Sequence, residues 1–196
     1  NEDELVDVAR KAMFTHKDFS ALGGGEFFAR VTHRVLRGLT PKEAIIEVAT
    51  LMGGFFEDKT KQAIAKYEEE TNPNSQLSKE QFSDDLALTS MARLWDIGRS
   101  EPIKVGKASP TEGTLPGSIY FILKYANKED GLKKALQANA MVGGDNASRG
   151  IAIGMVLGAY FGVNAIPKEW KETLTQWKYC EDLLDTLPVI EKLKKV

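Results

Sequence analysis

The stretch Gly143-Gly144-Asp145-Asn146-Ala147-Ser148-Arg149-Gly150 runs without a break into Ile151-Ala152-Ile153-Gly154-Met155-Val156-Leu157-Gly158-Ala159-Tyr160-Phe161-Gly162. Gly150, Gly154, Gly158 and Gly162 recur every four residues, so a helix would carry them along one face. Each glycine costs such a helix about 1 kcal/mol relative to alanine. The stripe therefore predicts a flat face that another backbone can approach closely. The other positions are apolar nearly all round, the pattern of a helix buried in the middle of a domain. Its N-terminus gathers two glycines, a carboxylate, an amide, a hydroxyl and a guanidinium. Free N–H groups and a partial positive charge at a helix start suit a phosphate or carboxylate. Asp145 and Ser148 together offer oxygens to a hard cation. The same residues also read as plain punctuation, with Asp145 or Asn146 capping the helix and Gly143-Gly144 ending the previous one. Both readings stay open at this point.

Outward from this stretch, three- and four-residue spacing of apolar positions predicts helix almost everywhere. Leu5, Val8, Ala9, Ala12 and Met13 share one face of a first helix. A second runs over residues 19–37, with Phe27, Phe28, Val31 and Val35 inward, and stops at Gly38. Thr40-Pro41-Lys42-Glu43 reads as a helix start, with Thr40 at the cap, Pro41 first in the helix and Glu43 closing a capping box. Gly53-Gly54 turns that helix toward the next. Residues 71–75 form a loop by composition, and Ser78 with Gln81 opens a helix carrying Phe82, Leu86 and Trp95. Residues 98–116 hold Pro102, Gly106, Pro110, Gly113 and Pro116, which predicts a long loop of the kind that often carries function. Residues 119–125, 132–141 and 147–163 read as helices, although 118–125 alone passes for a strand. The run 167–196 is amphipathic and ends in Lys192, Lys194 and Lys195. The fold class is all-α, a multi-helix bundle around a central buried glycine-striped helix.

The 196 residues are 42% hydrophobic and 28% charged, enough apolar material for a core and too much for a disordered chain. Their net charge of −2 argues against a surface built for nucleic acid or anionic membrane. Cys180 is the only cysteine, which excludes a disulfide framework and suits a reducing compartment; its neighbours Trp177, Tyr179 and Leu183 predict a core or half-buried thiol. The opening Asn1-Glu2-Asp3-Glu4 lacks the basic-then-apolar pattern of a leader. The apolar run 150–164 falls short of the roughly 20 residues a membrane span needs. A soluble intracellular protein without a membrane span is the expectation.

Several separated segments resemble one known family. Thr114-Leu115-Pro116-Gly117-Ser118, the pair Ala138-Asn139, Gly143-Gly144-Asp145, Gly158-Ala159-Tyr160-Phe161-Gly162, Ile166-Pro167 and Trp170 follow the order and spacing of the C-terminal half of the ADP-ribosylglycohydrolase family, in its J-crystallin-like branch. Thr15-His16-Lys17-Asp18 resembles an upstream Thr-His segment of that family, so the likeness spans residues 15–172. The resemblance implies an all-α domain with magnesium ions in a central cleft, hydrolysing the bond between ADP-ribose and a modified side chain. On the family's metal motif, Gly-Gly-Asp-x-Asp-Thr, the first Asp falls on Asp145 and the Thr on Ser148, the implied metal ligands. The second Asp falls on Ala147, whose methyl group ligates nothing. The implied ligand contacts are His16, the backbone of Gly143 and Gly144, Asn146 and Arg149, whose guanidinium either weakens cation binding or grips a phosphate.

The family's Gly-Asp helix and Thr-Asp-Asp-Thr turn are not recognisable in their expected places. Ser83-Asp84-Asp85-Leu86 mimics the second, but out of order, and reads as first-turn acids at a helix N-terminus. The resemblance thus implies that residues 1–196 are the C-terminal portion of a single domain, completed by an N-terminal segment or an assembly partner. Two functions follow as expectations. One is metal-assisted hydrolysis or binding of ADP-ribose; the other is a catalytically inactive, crystallin-like structural protein on the same fold. Gly23-Gly24-Gly25 lacks the ending of a phosphate loop and reads as packing glycines, and Ser109 shows no nucleophile context.

Overall fold

The computed structural model describes residues 1–71 and 109–188. The capping box at Ser78, the helix through Trp95, Asp84 and Asp85, residues 98–108 and the terminal lysines lie outside the described residues. Within them the chain forms helices α1 (Glu2–Ala12), α2 (Phe19–Leu36), α3 (Pro41–Met52), α4 (Gly54–Thr71), α5 (Thr111–Tyr125), α6 (Gly131–Val142), α7 (Asn146–Phe161), a short 3-10 turn (Val163–Ala165), α8 (Lys168–Thr173) and α9 (Trp177–Asp185). No strand occurs among the described residues, and no helix among them is long and apolar enough to cross a membrane.

Local chemistry sets the helix starts. Asn1 and Glu4 close a capping box on α1, and Thr40 with Glu43 closes the one on α3 with Pro41 in its first turn. Asp18 caps α2 by accepting from the Ser20 amide at 2.9 Å. Helix α1 is tied to α2 by charge: Glu2 accepts from Arg30 at 2.8 Å and from Arg34 at 3.1 Å, and Glu26 pairs with both Arg30 and Arg10. Phe27, Phe28, Val31 and Val35 point inward from α2 as expected. Phe27 stacks on Phe56 of α4 with ring centroids 6.0 Å apart.

The centre of the bundle is α5. Every residue from Leu115 to Tyr125 is buried, and the helix packs against α2, α3, α4, α6 and α7. Its start corrects the expected loop, since the helix begins at Thr111 and takes Pro116 into its second turn. That proline leaves the Glu112 carbonyl without its usual donor, a defect that near a helix start is smaller than in the interior. The Thr114 hydroxyl donates to the Pro110 carbonyl at 3.2 Å and the Ser118 hydroxyl to the Thr114 carbonyl at 2.7 Å, knitting the first turns together.

For α7, burial on all sides holds for one face only. Ala152, Ile153, Val156 and Leu157 are buried, whereas Ile151 is 72% exposed and Met155 and Tyr160 are also open. The glycine stripe differs too from the expected backbone contact. A Cβ at Gly154 would meet only the tip of Leu136 at 3.9 Å, and one at Gly158 would meet nothing. Close approach occurs instead at Gly131, where a Cβ would run into the Tyr125 carbonyl and the Phe161 ring. Cys180 is exposed, because no residue of α9 is buried.

Candidate functional site

The turn between α6 and α7 builds the site. Helix α6 ends at Gly143, with φ of 74°, and Gly144 follows at 65°; side chains rarely adopt such values, so two glycines allow the chain to reverse there. Asp145 then caps α7. One carboxylate oxygen accepts from the Ser148 amide at 3.1 Å and the other from the Ser148 hydroxyl at 2.9 Å. The Ser148 N–H, together with the hydroxyls of Ser148 and Ser109 and the charge of Arg149, holds this carboxyl below its usual range against the opposing effect of burial. Asp145 is therefore ionised at neutral pH, able to accept hydrogen bonds or face a cation but not to donate a proton.

Asp145 and Ser148 lie on the wall of a cleft of about 470 Å³, within the size range of small-ligand sites. Gly24, Gly25 and Phe28 of α2 form one side, and Thr111, Thr114 and Ser118 of α5 form another. Ile151 and Met155 of α7 and Met13 after α1 add apolar surface, and His16 from the α1–α2 connection closes the rim. His16 is exposed, its Nδ1 2.8 Å from the Thr15 hydroxyl. Gly25 lets the Met13 thioether pack closely there, and a Cβ at this position would push that flexible side chain aside.

Of the residues singled out from the sequence, the fold brings Asp145, Ser148 and His16 to one cleft. Gly143, Gly144, Asn146 and Arg149 are not among its lining residues. The Asn146 amide instead donates to the Ala140 carbonyl at 3.3 Å. Arg149 turns inward and is fully buried, donating to the Asn139 side-chain oxygen at 2.8 Å and to the Gly143 carbonyl at 2.5 Å. Burial pushes its guanidinium down to about 10, against the pull of Asp145. A side chain without exposed surface does not meet a phosphate in the cleft, so the structure corrects that expectation. The cap and ligand readings of Asp145, by contrast, are compatible: the capping carboxylate is itself part of the cleft wall.

Sequence reasoning missed Met13, Phe28, Ser109, Thr111, Thr114, Ser118 and Met155 as wall residues. A signal existed for two, since Thr114 and Ser118 bracket the quoted Thr-Leu-Pro-Gly-Ser segment. Ser109 sits within the Pro/Gly-rich stretch 98–116 and its hydroxyl reaches Asp145.

Among the described residues no group of three or more His, Cys, Asp or Glu side chains is arranged so that it could hold a metal ion. Among the described residues lining the cleft, Asp145 is the one carboxylate. One carboxylate with neighbouring hydroxyls does not cage an ion by itself. It does suit magnesium that keeps much of its water and shares phosphate oxygens with a ligand.

The ADP-ribosylglycohydrolase family model matches residues 1–195. The chain belongs to the ADP-ribosylglycohydrolase family. No curated protein and no solved structure matches it. Membership agrees with the all-α architecture and supports a hydrolase-like function.

Proposed function

We propose that the cleft receives an ADP-ribosyl group and that its hydrolysis or recognition is the protein's function. The observation that carries this reading is the convergence of Asp145, Ser148 and His16 on one cleft of about 470 Å³. Opening a glycosidic bond to ribose builds positive charge on the sugar. An ionised carboxylate fixed by a backbone N–H and two hydroxyls is pre-organised to stabilise that charge or to orient a ribose hydroxyl. The apolar side chains of Met13, Phe28, Ile151 and Met155 give a ring system a surface to lie on. His16, at the rim, is placed to hydrogen-bond the incoming ligand. Magnesium, when bound, would be held by Asp145 and Ser148 and would supply positive charge to the ligand's phosphates.

The test is release of ADP-ribose from an ADP-ribosylated protein. Asp145→Asn should lower the rate by about a hundredfold, the scale of losing one pre-organised electrostatic contact. Equal rates in the two proteins would remove Asp145 from the chemistry.

A second reading has its own observation. Ala147 stands where the resemblance places the motif's second Asp, removing a carboxylate from the metal motif. A crystallin-like, inactive protein on this fold would bind ADP-ribose weakly or not at all, show no turnover and assemble into larger particles. Light scattering and the same release assay separate the two.

A further inference from the structure

The geometry points to Arg149 and Asn139 as a pair of positioning residues that lock the α6–α7 turn and thereby aim Asp145 into the cleft. Gly143 and Gly144 free that turn to reverse, and glycines without side chains do nothing to hold it. What holds it is a chain of side-chain bonds. The guanidinium Nε donates to the Asn139 Oδ1 at 2.8 Å and Nη2 to the Gly143 carbonyl at 2.5 Å, while the Asn139 Nδ2 donates to the Asn146 carbonyl at 2.8 Å. Three places are thus tied together: the last turn of α6, the first glycine of the reversal and the first turn of α7. Asp145 stands between the last two.

The orientation of the Asn139 amide follows from its neighbours. A guanidinium only donates and a carbonyl only accepts, so Oδ1 faces Arg149 and Nδ2 faces Asn146. Both side chains are buried, Arg149 completely, and Arg149 Nη1 has no hydrogen-bond partner. A buried cation with an unused donor is weak evidence of stability, although removing Arg149 alone would strand the acceptors it serves, the buried Asn139 Oδ1 and the Gly143 carbonyl. Its planar fork, however, fixes the direction of two acceptors at once. The arrangement therefore sets where Asp145 stands, and exchange at Ser148 read against exchange at Val156 separates that role from a loss of overall stability.

For its ligand arm this inference rests on the ADP-ribosyl reading of the cleft; its geometric arm does not. In the full chain, Arg149→Met keeps an apolar stem and Arg149→Lys keeps the charge without the fork. Amide exchange followed by NMR should quicken about tenfold at Ser148, whose N–H bonds the Asp145 carboxylate, in both variants, the scale set by a hydrogen bond to a charged group. Exchange at Val156 in the middle of α7 should stay unchanged. Unaltered exchange at Ser148 in a folded variant would overturn the proposal. Where Arg149→Met fails to fold, Asn139→Asp replaces it: that change keeps an acceptor for the guanidinium, removes the donor to the Asn146 carbonyl, and should quicken Ser148 alike.

The ligand arm is a double-mutant cycle on the Kd for ADP-ribose. Arg149→Met should weaken binding about tenfold beside Asp145 and have little further effect in Asp145→Asn, since residues acting through one another are not additive. Equal weakening in both backgrounds would contradict positioning through Asp145. Wild-type protein that binds no ADP-ribose while Ser148 exchange responds would sink the ligand reading and leave the lock standing.

Discussion

Helices α5 and α7 are both rich in apolar residues, pack against each other, and have opposite fates. Proline and glycine interrupt the sequence of α5, yet it lies buried on every side from Leu115 to Tyr125. Helix α7 is apolar nearly all round, and it leaves Ile151, Met155 and Tyr160 open. The difference teaches that apolar composition states what a helix tolerates, while its neighbours decide what is covered. Ile151 and Met155, exposed from the standpoint of the core, are walls of the cleft. The face of α7 that looks unfinished as packing is the face that lines the cleft.

The largest expected effect breaks the comparison at its strongest point. Phe121 is fully buried on α5, so Phe121→Ala should destabilise the fold by about 3–5 kcal/mol. Ile151→Ala on the open face of α7 should change it by less than about 1 kcal/mol. Urea unfolding of the two variants reads the contrast directly, and similar midpoints would show that both helices are cores.

Glycines sharpen it next. Gly131→Ala drives a methyl group into the Tyr125 carbonyl and the Phe161 ring and should cost about 1–3 kcal/mol. Gly158→Ala meets nothing and should stabilise α7 by about 0.5–1 kcal/mol. Thermal melts moving in opposite directions are the predicted result; a loss at Gly158 would mean that something covers the stripe.

The smallest effect is a pH dependence at the start of α7. The folded state depresses the Asp145 pKa below the ordinary aspartate value of 3.8. Its contribution is therefore present above about 3.8 and is lost as pH falls through the lower folded value. Removing the charge with Asp145→Asn, which still caps, should flatten that acid limb by about 0.3–0.5 kcal/mol, the low end for an exposed carboxylate at a helix N-terminus. An acid limb identical in both proteins would show that the cap does not depend on charge.

Legibility followed the range of the interactions. The start of α3 was readable because Thr40, Pro41 and Glu43 act within one turn. The inward face of α2 was readable because its spacing is periodic. The start of α5 was not, since local rules treat Pro116 as a breaker and only tertiary packing around Leu115 and Ile119 overrides them. At the site, Asp145 and Ser148 were found because both lie in one helical turn. Arg149 was misdirected because its partner Asn139 sits on the preceding helix, and one hydrogen bond across that interface turns it from the ligand to the core. The neighbours Trp177, Tyr179 and Leu183 suggest a core or half-buried Cys180, but none of the residues of α9 is buried and the thiol is exposed.

On the proposed reading, Asp145 makes the cleft an ADP-ribosyl site. Calorimetric titration of the folded chain with ADP-ribose, with and without magnesium, tests it most directly. The account predicts binding that magnesium tightens and a magnesium gain that disappears in Asp145→Ala. Absence of binding under both conditions, or a gain that survives Asp145→Ala, would contradict it.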